Sequence, residues 1–445
     1  MKILLIGSRD RCEDIKNTLI RNPISFEYAH TLDSLRKKIR RWDFACAVFD
    51  DDSVSACGKD ARLDFLRMLK SSKKDFIFVT SASGFSVVHE AKAMGATGFI
   101  IRPYNEREFN LHFNACCYNR TKISCIGGGT GLFNILTGVK QIQNAFITSI
   151  VGMSDDGGST GRLRVSFGVL PPGDVRRSLV ALSNAPALMN QVLQYRFEAG
   201  GKSFRGHNFG NIFLTALSQI KGSMKEATKS LSDILNIQGI VVPVTTTNIR
   251  LNAMFEDNTV IKGESKIDLA EGRSPDLHVK KLWHEPEADC NIDAYASIIY
   301  SDAVIIGPGD LFTSVVTNLI IPGIRDAIAK TEAKRIYICN LMTKPGETAH
   351  YGAFRHIKDI IKYLKGDYLD CVIISNTKLS RKVLDRYAKK GQFRVSFGGL
   401  KKIRKITKAK IVLADAGHET DLVRHDSQKI KGAIEAVLSD KRKRR

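Results

Sequence analysis

The chain has 445 residues, of which 43% are hydrophobic and 26% charged, enough for two or three domains that each bury a core. No apolar run reaches the roughly 18 residues needed to cross a bilayer, and the start "MKILLIGSRD" meets charge too early for a signal peptide, so the expectation is a cytoplasmic protein without a membrane segment. The formal charge of +22 would attract polyanions, but it is spread along the chain and comes with no zinc-finger, helix-turn-helix or RNP pattern, which excludes the common nucleic-acid modules and favours small phosphorylated ligands.

In chain order, "KILLIG", "FACAVFD", "DFIFVTSA" and "TGFIIRPY" are short β-rich runs, each ending in small or polar residues, with helix-period stretches between them. That alternation predicts a parallel sheet covered by helices, and residues 1–118 suit a five-stranded flavodoxin-like domain. Asp50, Thr80 and Arg102 close three of these runs. Their spacing resembles the phosphoacceptor Asp, switch Thr and Lys of response-regulator receiver domains. Two departures matter: Gly7 and Ser8 stand where receivers carry the acidic pair that holds Mg²⁺, and Arg102 replaces the Lys. The resemblance therefore implies a degenerate receiver that docks a regulatory protein partner or makes a homo-oligomer.

A second unit opens with "TKISCIGGGTGLFNILTGV". The run Ile123–Ile126 reads as a strand, Gly127, Gly128, Gly129, Thr130 and Gly131 as the turn after it, and the residues from Leu132 as a helix. Further strands are predicted in "FITSIVGM", "GIVVPV", "AVIIGPG", "RIYICNLM" and "CVIISN". Residues 119–440 thus form one large doubly wound, Rossmann-like α/β/α domain, and Lys441–Arg445 a solvated basic tail. The nine cysteines, without CxxC spacing or scaffold density, are expected to be reduced core residues.

Glycines permit close backbone approach, and free N–H groups at a helix start attract an anion, so the glycine run is a candidate phosphate loop. "SDDGGSTGRLR" follows the next strand and places Asp155 and Asp156 at the same sheet edge. Two acids there suit ribose hydroxyls or Mg²⁺ on a diphosphate, while Arg162 and Arg164 suit phosphate charge. "DDGGSTG" holds too much glycine to start a helix at once, and Asp174 in "LPPGDVRRSLVAL" reads as an N-cap with room for a metal or ligand contact. His207, Asn208 and Asn211 open another apolar helical run, where Asn caps and His packs in a core as readily as either binds a ligand. "IIGPGDLFTSVVTNL" repeats the strand–glycine–hydroxyl theme with Gly307, Gly309, Thr313 and Ser314, and "CNLMTKPGET" adds Asn340 and Thr343 at that edge.

Together "GGGTGL", "MSDDGGSTGRLR", "GVLPPGDVRRSLVALS", "QYRF", "GHNFGN", "IIGPGDLFTSV", "NLMTKPGET" and "RHDSQKI" resemble the CofD/YvcK family over residues 121–440, and more closely its gluconeogenesis-factor branch. That resemblance implies a nucleotide diphosphate in the crevice. In the YvcK branch it implies a UDP-sugar such as UDP-N-acetylglucosamine, with roles in carbon metabolism and cell-envelope shape. In the transferase branch phospholactate moves from a nucleotide-activated donor to a deazaflavin, with a divalent metal such as Mg²⁺ at positions like Asp156 and Asp174. Asp310 stands where the YvcK pattern has Ser, and a carboxylate there repels a diphosphate unless it faces away or binds metal. NAD, the third candidate, ranks lower because the glycines do not follow GxGxxG spacing.

Overall fold

The computed structural model describes residues 1–19, 24–41, 44–269 and 274–440, so the basic tail 441–445 lies outside the described residues. Two compact units emerge, Met1–Lys122 with Tyr295–Tyr300, and Ile123–Ala294 with Ser301–Arg445.

In the first unit the apolar runs become five parallel strands: β1 (Lys2–Ile6), β2 (Ser25–Ala29), β3 (Cys46–Asp50), β4 (Phe76–Thr80) and β5 (Gly98–Ile101). Their order is β2-β1-β3-β4-β5, the flavodoxin-like and receiver-type winding. β3 and β4 are buried at every residue, as strands covered on both faces must be. On one face Ile3, Leu5, Val48 and Ile77 pack against Ile15, Leu19, Phe109 and Phe113.

The receiver-like positions come together in an altered form. Asp50 is completely buried; its Oδ1 accepts the Ser53 amide at 2.8 Å, and Arg102 donates to its other oxygen. Arg102 also reaches Asp52 at 2.9 Å. Gly7 leaves no space for an acid, since a Cβ there would lie 2.5 Å from Ser53 Oγ and 2.9 Å from Asp50 Cβ.

The second unit is built on seven strands: β6 (Thr121–Gly127), β7 (Ala145–Val151), β8 (Ile240–Pro243), then, past a three-stranded antiparallel insertion of β9 (Arg250–Phe255), β10 (Val260–Lys262) and β11 (Val279–Glu285), β12 (Ala303–Ile306), β13 (Lys334–Ile338), β14 (Cys371–Ser375) and β15 (Lys410–Ala414). A short hairpin, β16 (Gly417–Glu419) with β17 (Val423–His425), follows. The main order is β15-β14-β13-β12-β6-β7-β8. From β6 the chain winds to one side through β7 and β8, and from β12 to the other, so the direction reverses between β6 and β12. Ile126 pairs with Ile306, so the turns beginning at Gly127 and Gly307 leave the sheet side by side.

Three local expectations are corrected. The helix after β6 begins at Gly129, not Leu132, because Gly128 adopts an extended N-cap conformation and frees the next residue to turn. "DDGGSTG" does start a helix at once, Gly158–Phe167, with Gly157 as N-cap. In the helix Pro172–Leu182 the N-cap is Pro171; the preset φ of Pro172 suits the first helical position, which moves Asp174 into the first turn and leaves its carboxylate available to another element. Among the described residues no single helix is long and apolar enough to cross a membrane. None of the nine cysteines forms a disulfide, and Cys57 is exposed rather than in the core.

Candidate functional site

At the reversal between β6 and β12 a crevice of about 280 Å³ opens. Its walls are Gly128–Gly131 from the turn after β6, Pro308–Asp310 and Ser314 from the turn after β12, Asn340–Met342 after β13, and Val423–His425 from β17. The glycines are there for contact. A Cβ on Gly131 would lie 2.4 Å from the Pro308 carbonyl oxygen, and one on Gly128 would lie 2.3 Å from Asp174 Oδ2. Gly129 has φ +63°, and its amide donates to Asp174 Oδ1 at 2.9 Å. Arg177 donates to the same oxygen at 2.9 Å, so Asp174 ties two helix starts together.

The acidic loop is divided between two tasks. Asp156 Oδ1 accepts the Ser265 amide and hydroxyl, each at 2.8 Å, and thereby anchors the short helix Glu264–Leu269. Asp155 Oδ1 accepts the Gly157 amide at 3.0 Å. Burial, then the charge of Asp174, pushes the Asp155 carboxyl up. Asp156 thus bonds Ser265, whereas Asp174 bonds Gly129 and Arg177. Behind them Ser154 donates to Glu264 and bonds Thr317 at 3.0 Å, which His284 Nε2 also reaches at 3.0 Å. Burial, followed by Asp155, pushes the Glu264 carboxyl well up.

Several polar residues read from the sequence as ligand groups are engaged by the protein itself. Arg164 donates to the carbonyls of Ser154, Asp155 and Ile249, and burial lowers its pKa. Arg162 donates to the Arg205 carbonyl at 2.9 Å. His207 Nδ1 meets Ser159 Oγ at 3.1 Å. Asn208 caps the helix Phe209–Lys221 through the Asn211 amide, while Asn211 Nδ2 reaches Thr160 at 3.4 Å. Thr343 exchanges bonds of 2.7 and 2.8 Å with the backbone of Phe393. Asn340 lines the crevice; its Nδ2 donates to the Gly309 carbonyl at 2.7 Å, and its buried Oδ1 lacks a hydrogen-bond partner.

At the turn after β12 the anion is internal. Glu347, fully buried, accepts the Phe312 amide at 3.0 Å and the Thr313 hydroxyl at 2.8 Å. Lys344 lies between Glu347, Asp268 and Asp310, 2.6 Å from Asp310 Oδ2. Against the burial that disfavours its charge, these three carboxylates hold the Lys344 ammonium above its ordinary range. Asp310 thus borders the crevice as half of an ion pair, which removes most of the repulsion that a bare carboxylate would exert. Among the described residues Asp268, Asp310 and Glu347 form the group of three acids close enough to hold one metal ion, and the Lys344 ammonium lies among them.

Two features lay beyond sequence reasoning. Arg424 and His425, which open the quoted motif "RHDSQKI", reach the crevice from β17, some three hundred residues after the glycine loop, and the motif by itself assigned them no place in the site. Arg176 and Arg177, inside a quoted motif, flank a smaller cavity beside Thr130.

The family described as 2-phospho-L-lactate transferase CofD matches residues 123–416. The chain belongs to the CofD family. A relative from Thermotoga maritima is 39% identical over 319 residues, covering 71% of this chain and 99% of its own. The Gluconeogenesis factor of Bacillus subtilis is 34% identical over 322 residues, 72% of this chain and 99% of its own. A solved UPF0052-family protein from Bacillus halodurans is 35% identical, with a TM-score of 0.67 over 71% of this chain and all of its own. The CofD-family match holds the glycine loop, the acidic loop and the turns after β12 and β13, while residues 1–122 lie outside it.

Proposed function

We propose that this CofD-family protein is a cytoplasmic, YvcK-like regulator that binds a UDP-sugar such as UDP-N-acetylglucosamine and couples that ligand to carbon metabolism and envelope shape. One observation carries the reading: the crevice lies at the reversal of strand order, at the carboxyl ends of β6, β12 and β13, the place where open α/β sheets bind nucleotides. The helix Gly129–Val139 starts in the crevice wall, and a helix start favours diphosphate. The names of the relatives and their near-complete coverage support the gluconeogenesis-factor branch. The degenerate receiver, with Asp50 sealed by Arg102, suits a docking or dimerising module.

Calorimetric titration of the full chain with UDP-N-acetylglucosamine, with and without Mg²⁺, tests the reading. Saturable binding with the ligand recovered unchanged is the expected result. Absence of binding refutes it. Conversion of an activated phospholactate donor in the presence of a deazaflavin would establish the transferase chemistry named by the family instead.

A further inference from the structure

We propose that a second cavity, beside the glycine loop, binds a phosphate-sized oxyanion. The cavity measures about 140 Å³ and is lined by Thr130, Phe133, Arg176, Arg177, Val180, Gln194 and Arg424. Three of these seven residues carry a guanidinium and none carries a carboxylate. The volume is below the roughly 300 Å³ at which sites for drug-sized ligands begin, so the occupant is a small group.

Arg176 supplies the decisive observation. It is 7% exposed, yet no acid bonds it: Nη1 donates to the Leu193 carbonyl at 3.3 Å, and Nε is buried with no hydrogen-bond partner. Buried guanidinium groups are normally paired because an unpaired buried charge is costly. Burial, then the neighbouring charges of Arg177 and Arg196, lowers its pKa to about 10, with Asp174 and Asp155 opposing. The fold makes space for this side chain, since a Cβ on Gly210 would lie 2.6 Å from Arg176 Cδ. Arg177 is already joined to Asp174, which leaves Arg176 and the exposed Arg424 to meet a ligand by charge-assisted hydrogen bonds.

Thr130 and Arg424 border both this cavity and the crevice. The oxyanion is therefore either a free phosphate beside the crevice ligand or a phosphate belonging to that ligand. Both sources present the same chemistry to the arginines.

The test is calorimetric titration of the full chain with orthophosphate in a phosphate-free chloride buffer. The expected result is one saturable site, weakened tenfold or more by Arg424→Gln and by Arg176→Met, with circular dichroism establishing that each variant is folded. Arg424→Gln changes an exposed residue and decides the matter if Arg176→Met does not fold. Repeating the titration with UDP-N-acetylglucosamine present separates the sources: retained phosphate binding identifies a free anion, and competition identifies a ligand phosphate. No saturable binding, or equal affinity in Arg424→Gln and wild type, overturns the proposal. Because the primary readout uses phosphate alone, failure of the UDP-sugar reading leaves this result interpretable.

Discussion

Asp174 and Gly129, forty-five residues apart in sequence, meet at 2.9 Å where the Gly129 amide donates to the carboxylate. This bond joins the glycine loop to the helix Pro172–Leu182, and Arg177 balances the same carboxylate. The loop is therefore held by a side chain from another element, and its shape depends on both partners.

Gly128→Ala tests that dependence. The added methyl would lie 2.3 Å from Asp174 Oδ2 and 3.3 Å from its Cγ, so Asp174 must rotate away and release Gly129. UDP-sugar binding is expected to weaken at least tenfold, equivalent to about 1.4 kcal/mol, in a protein that stays folded. Calorimetry beside a thermal melt measures both; unchanged affinity would show that the loop does not shape the ligand site.

Gly131→Ala meets backbone rather than a side chain, with the Pro308 carbonyl oxygen at 2.4 Å and the Gly309 nitrogen at 2.9 Å. Neither can rotate aside, so the turns after β6 and β12 must separate. Overpacking of this kind costs about 1–3 kcal/mol. Gly432→Ala is the opposite case: it lies in the helix Ser427–Ser439 with nothing within 4 Å of the added Cβ, and helix propensity favours it by about 0.5–1 kcal/mol. Urea unfolding of the two variants should shift the midpoint in opposite directions.

The parts legible from sequence were those set by local chemistry. Apolar runs ending in glycine became β6 and β12, and the register that pairs Ile126 with Ile306 brought their two turns together. Insertions into the large domain were expected, but the strands β9–β11 were not, because "RLNAMF" and "VKKLWHE" alternate too irregularly to stand out from loops. Residue type alone also said nothing of the partners that Arg164 and Thr343 take within the fold. Both have ligand-like chemistry, but tertiary contacts direct them to backbone groups. Arg424 shows the converse, a site residue whose position depends entirely on the path of the chain.

Arg102 supplies the counter-charge for Asp50, which has no exposure of its own. Arg102→Ala leaves that carboxylate buried without its cation, a change that typically costs about 3–5 kcal/mol. The same enclosure should keep small phosphodonors away, and Gly7 leaves no space for a metal-binding acid. Incubation with acetyl phosphate and Mg²⁺ is expected to give no phosphoryl adduct on Asp50 by intact mass; an adduct would restore a phosphoacceptor role to this unit.

Acid should weaken the protein through its buried imidazoles. His356 is fully buried; its Nδ1–H donates to the Gly352 carbonyl at 3.1 Å, while Nε2 has no hydrogen-bond partner. A proton on Nε2 would create a buried donor without an acceptor, and burial accordingly lowers the His356 pKa from 6.5 to about 4. Burial lowers His425, on the crevice wall, to about 4 as well. Above pH 6.5 neither state takes the proton and the stabilisation is intact. Between pH 6.5 and 4 the unfolded chain binds protons that the folded chain refuses, so stability falls by roughly 2 kcal/mol per histidine by pH 5. Asp155 and Glu264 act in the opposite sense, because their raised carboxyls retain protons in the folded state and cost stability as pH rises. Comparison of wild type with His356→Phe removes those shared terms: the stability difference between the two should move by about 2 kcal/mol in favour of the variant from pH 7 to pH 5. Urea denaturation at both pH values measures it, and a constant difference would mean that His356 titrates alike in the folded and unfolded chain.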